Sequence, residues 1–69
     1  MEINDCAVNV RARKIIVPPI SIPADLKEGM PITGAPLPAG AKVLKIGHDW
    51  LEISEDPTMT WFGDLTAAV

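Results

Sequence analysis

Six of the seven prolines and three of the five glycines fall between residues 18 and 40 of this 69-residue chain. Proline has no backbone N–H and a fixed φ, so it breaks helix interiors and sits in sheets only at edges, strand starts or bulges. A long helix is therefore ruled out across the middle of the chain. A flexible linker would be polar, yet this stretch carries Ile20, Ile22, Leu26, Met30, Ile32 and Leu37. It reads as ordered, extended chain wrapped over a core. "PADLKEG" fits one helical turn, opened by Pro23 and closed by Gly29, with Pro31 and Gly34 stopping anything longer.

Strand signals lie on both sides of this segment. In "EINDCAVNVRAR", residues 2 to 13, Cys6, Val8, Val10 and Ala12 share one face, and Asp5, Asn9, Arg11 and Arg13 the other. That period of two predicts a half-buried strand. "KIIVPPISIP" continues as a β-branched run until Pro18 and Pro19, which mark an edge, a bend or a change of sheet.

"KVLKIGHDWLEIS", residues 42 to 54, reads as a hairpin with a two-residue turn at His48-Asp49. Both residues tolerate positive φ better than most. In that register Ile46 faces Leu51 and Leu44 faces Ile53 on an apolar side, and Lys45 faces Glu52 on the other. Trp50 then faces Gly47 and lies over its bare backbone, away from Leu51 and Ile53. After the turn signal "EDP", "TMTWF" reads as a further strand, with Met59 and Trp61 on one side and Phe62 on the other. "GDLTAAV" takes no assignment and is expected to fray.

The fold these elements predict is all-β: a small, strongly bent sheet or partly open barrel of about five short strands with a proline-rich extended connection. The length fits a single domain over residues 1–69. A domain of this size has a marginal core. The lone cysteine, Cys6, excludes an intrachain disulfide and favours a reducing compartment. No apolar run approaches a membrane span and no signal-peptide pattern opens the chain, so a cytoplasmic protein is expected, without a membrane partner.

Chemistry-bearing residues are sparse. His48 and Asp49, with Ser21, Ser54 or Cys6, are the only material for a nucleophilic site, and adjacent residues at a turn tip rarely converge on one proton. No nucleophile elbow or glycine-rich phosphate loop occurs. His48, Glu52, Glu55 and Asp56 form the only local cluster with a histidine, short of a metal set. Cys6 alternates with Val8 and Val10 as a small buried hydrophobe. No catalytic residue, metal or cofactor is expected.

Charge is unevenly spread. All six Lys and Arg fall in residues 1 to 45 with four acids, whereas residues 46 to 69 carry five acids and no base, for a net charge of −3. Pairing of complementary strands explains the split simply; distinct basic and acidic faces are the functional alternative. The three aromatics, Trp50, Trp61 and Phe62, all fall in the acidic segment. The core is the default place for each of them; the alternative is an exposed Trp ringed by carboxylates, which has the anatomy of an interface anchor and its rim. Trp50, Glu52, Glu55, Asp56 and Trp61 are therefore the expected partner-binding residues.

"ISIPADL" followed by "PAGAKVLKIGHDWLEIS" resembles the swapped-hairpin family of bacterial transition-state regulators and antitoxins, at Ile20, Ile22, Pro23, Leu26, Gly40, Val43, Leu51 and Ile53. The resemblance implies an intertwined homodimer that binds DNA through Arg11, Arg13 and Lys14. The chain departs from that pattern where Gly29 and Pro31 cut the helix short, in the long proline-rich "PITGAPLPAG", and in its acidic total. The favoured expectation is a non-enzymatic module that binds another, basic protein. It would be an accessory, assembly or inhibitory protein such as phages and mobile elements carry. A homo-oligomer is a further option, and the DNA-binding regulator is the alternative.

Overall fold

A computed structural model describes residues 1–68, and Val69 lies outside them. The chain forms β1 (Glu2–Val8), β2 (Lys14–Ile16), β3 (Ile32–Thr33), β4 (Val43–Ile46), β5 (Trp50–Ile53) and β6 (Trp61–Ala67). All six join one antiparallel sheet in the order β3-β6-β1-β2-β5-β4. The all-β expectation holds, with six strands instead of five. The extra one is β3, two residues long and hidden in the proline-rich stretch.

No α-helix occurs among the described residues to cover the apolar face. The sheet must therefore bend and cover itself, with the 18–40 chain closing the remainder. Its end strands meet at one bridge, Pro31 opposite Lys42. There Gly29 N–H donates to Val43 O at 2.7 Å and Val43 N–H to Met30 O at 2.9 Å. The meeting is local, and the sheet is not closed into a barrel. Ile3, Cys6, Val8, Ile15, Val17, Ile32, Val43, Leu51, Ile53, Leu65 and Ala67 fill the core.

Two bulges set which residues face inward. In β1, Ile3 pairs with Leu65 and Cys6 with Gly63, so one extra residue sits between them. Asp5 absorbs it with φ 59°, a conformation Asp tolerates better than most. Without the bulge Ile3 would point away from Cys6 and Val8; with it, all three are buried. The predicted alternation stops at Val8. Val10 is exposed because the chain turns there, with Ala12 N–H donating to Asn9 O and Arg11 at φ 62°.

The second bulge corrects the β4–β5 hairpin. Ile46 pairs with Leu51 and Lys45 with Glu52 as expected, but Val43, not Leu44, lies opposite Ile53. Leu44 is the displaced residue and is 44% exposed. Val43 is held inward because its backbone also pairs with Gly29 and Met30. The turn does comprise His48 and Asp49, closed by Gly47 N–H to Trp50 O at 2.8 Å, but neither takes a positive φ.

Two further corrections concern connections. The helical turn expected in "PADLKEG" is replaced by two tight turns: Leu26 N–H donates to Pro23 O, and Met30 N–H to Lys27 O, with Gly29 at φ 90°. A 3-10 turn forms earlier, over Pro19–Ser21. The strand expected in "TMTWF" begins only at Trp61 and runs through the tail that was expected to fray. That tail carries the buried Leu65 and Ala67 and pairs with both β1 and β3.

Candidate functional site

Trp50 opens β5 on the side opposite Leu51 and Ile53. Its indole lies over Gly47, where a Cβ would overlap the ring, so glycine is needed for this close approach. Lys14 Nζ sits 4.8 Å from the ring centroid, a cation–π geometry. Trp50 pairs with Ile16, Ile16 with Ala7, and Ala7 with Phe62. Directly paired residues share a face. Phe62, Ala7, Ile16 and Trp50 therefore form one row across β6, β1, β2 and β5 on the outer face. Phe62 is 69% exposed and Ile16 47%, while Trp50 and Ala7 are half-buried.

Charged residues line both flanks of this row. On one side Glu52 pairs with Lys14 of β2 and Lys45 of β4. On the other, Asp64 accepts the Asp5 N–H through Oδ1 at 3.2 Å. Complementary pairing across strands thus accounts for part of the uneven charge along the chain.

The five residues expected to bind a partner are not brought together. Trp50 and Glu52 lie on the outer face. Glu55 and Asp56 are exposed in the turn beyond the far end of β5, and Asp56 Oδ1 takes the Arg13 Nε at 2.8 Å. Trp61 shares the inner side with Leu65 and Ala67, covers Gly63 and lies against the core. Phe62 and Ile16 take its place in the exposed row. Phe62 was legible as facing away from Trp61, but Ile16 required the β1–β2–β5 register.

The remaining candidates are dispersed. His48 and Asp49 are exposed at the hairpin tip, where the Asp49 carbonyl accepts Val17 N–H at 2.9 Å. Among the described residues no group of three metal-ligating side chains converges. No helix there is long and apolar enough to cross a membrane.

Cys6 is fully buried and its thiol donates to Ile3 O at 3.2 Å. Burial pushes its pKa from 9.0 up to about 11, with Asp64 and Asp5 adding to the rise. Thiolate is the reactive form, so Cys6 is expected to resist a disulfide reagent at neutral pH until the protein unfolds. The raised pKa lies in the folded state. Stability is therefore unaffected below pH 9 and falls as pH rises from 9 to about 11. Rapid labelling of the native thiol, or an unchanged unfolding midpoint across that range, contradicts this placement.

Comparison of the chain with protein-family models, with curated proteins and with solved structures returned no match.

Proposed function

We propose that this is a non-enzymatic protein-binding module whose partner docks on the outer face of the sheet. The observation that carries the reading is the in-register row Phe62–Ala7–Ile16–Trp50, with three large apolar side chains left wholly or partly in water. Scattered exposed apolar residues are ordinary, but a contiguous row rimmed by charge is the surface pattern of an interaction site. Trp50 is braced by Gly47 and Lys14. An anchor held in place before binding loses less entropy on docking. The charged flanks would steer a partner more than hold it. A reducing, cytoplasmic setting suits the free buried thiol.

Binding of duplex DNA through Arg11, Arg13 and Lys14 is the less favoured reading. Arg13 is engaged by Asp56 and Lys14 lies over Trp50, so two of the three bases already have partners within the chain.

The test is affinity capture from a native lysate with the wild-type protein and with Trp50→Ala and Phe62→Ala. A partner retained by the wild type should be held at least about tenfold more weakly by each variant, a loss of ~1.4 kcal/mol. Both variants should remain folded, and Arg11→Ala should bind normally. Equal retention by folded outer-face variants would place the binding surface elsewhere.

A further inference from the structure

We infer that the free edge of β6 at Phe62–Asp64 accepts an extended segment of a partner as an added strand, a mode that rests on the protein-binding reading above. Backbone groups along a strand point alternately to its two neighbours. Ala67 N–H donates to Met1 O at 2.8 Å, and Leu65 lies opposite Ile3 of β1. On the other side β3 reaches only Thr66 and Ala67, extended by Ala68 N–H to Pro31 O. By that alternation the N–H and C=O of Phe62 and Asp64 point away from β1, beyond the end of β3. No loop backbone bonds them among the described residues. Past Thr33 the connection leaves the ladder: Gly34 packs against the Leu65 side chain, and Pro36 is fully buried, its carbonyl accepting Thr58 N–H at 2.7 Å.

The two edges of the sheet differ. Along β4, a bulge at Leu44 and the charge of Lys45 interrupt the free edge, two devices that discourage strand addition. Along β6, residues 61 to 65 carry no lysine and no proline, and the bulge opposite them lies in β1. The exposed Phe62 ring stands on this edge and begins the outer apolar row. An added strand would cover it.

The edge also sets the chemistry of its occupant. Phe62 and Asp64 lie on one face, two residues apart, so the facing positions of an added strand fall two apart as well. The position opposite Phe62 calls for an apolar side chain. The position opposite Asp64 calls for Lys or Arg: Asp5 and Glu2 lie nearby on β1, and the one ion pair among the described residues, Arg13–Asp56, is elsewhere. The occupant is thus an extended peptide with an apolar and a basic residue at alternate positions.

The probe is the peptide Thr-Val-Thr-Lys-Thr-Val-Thr, which reads alike in both strand directions. Binding should protect the Phe62 and Asp64 amides from hydrogen exchange, and Asp64→Asn should weaken it. N-methylation of the Val and Lys amides, which face β6 when the peptide adds antiparallel to it, should weaken binding at least about tenfold, while N-methylation of the intervening Thr amides should leave it within about twofold. Three results overturn the inference: no binding of the peptide, equal binding of all N-methylated forms, or protection of the same amides by protein concentration alone, which would make a second copy the occupant. Failure here with capture still dependent on Trp50 removes the strand-addition mode and leaves face docking intact. Failure of both removes the protein-binding reading.

Discussion

Leu65→Ala should lower the stability of the fold by about 3 kcal/mol or more, the cost of removing a buried leucine side chain and leaving a cavity. Leu65 is fully buried and pairs with Ile3 across the β1 bulge. Gly34 lies against it from the other side, where a Cβ would overlap the leucine side chain. A domain this size has a total stability of roughly 3 to 10 kcal/mol. The substitution therefore removes a large fraction of it and lowers the thermal midpoint by about 12 °C or more. Phe62→Ala, three residues earlier on the same strand, is the control. Its ring is 69% exposed, so truncation should change stability by about 0.5 kcal/mol or less. Chemical and thermal unfolding of the two variants would settle the matter. Similar losses from both would mean that β6 does not present these faces.

Gly47→Val should destabilise the protein by about 1 to 3 kcal/mol, the range for forcing volume into an occupied site. Any Cβ at Gly47 overlaps the Trp50 indole, so the ring must swing away and leave Lys14 behind. Trp50 fluorescence should shift to the red as the indole enters water, with Trp61 unaffected on the inner side. Gly40→Ala separates crowding from backbone strain. Gly40 sits at φ 87° with nothing within 4 Å of an added Cβ. That change should cost about 1 kcal/mol through backbone conformation alone and leave both tryptophan environments as they were. An unshifted emission spectrum in Gly47→Val would contradict the stacked geometry.

The all-β character was legible because prolines and β-branched alternation both exclude helix. The β4–β5 turn and the Trp50–Gly47 contact were legible because hairpin pairing is local and the turn length fixes the register near it. What escaped the sequence was set by distant partners. The bulge at Asp5 has no strong local signal, and it alone brings Ile3 into phase with Cys6 and Val8. The bulge at Leu44 follows from the grip of Gly29 and Met30 on Val43. "WFGDLTA" has weak strand propensity at Gly63 and Asp64; it is a strand because β1 flanks it throughout and β3 at its end. The candidate residues divide between faces for the same reason. Trp61 was grouped with Trp50 by closeness in sequence, whereas pairing across the sheet joins Trp50 to Ile16, Ala7 and Phe62.

The position of β6 also fixes when the fold can form. β6 is the last strand in the chain, yet it lies inside the sheet, between β3 and β1. The contacts that join it to β1 include a bond between residues 66 positions apart, from the Met1 amine to Ala67 O. Such closures are slow, because their entropy cost is met before the contacts form. During synthesis the β4–β5 hairpin can close early, but β1 has no partner along one side, and Ile3, Cys6 and Val8 stay uncovered until residues 61 to 67 leave the ribosome. The assembling chain should thus pass through a state with an open strand edge beside a half-built core, the kind of state in which chaperone capture and aggregation compete with folding.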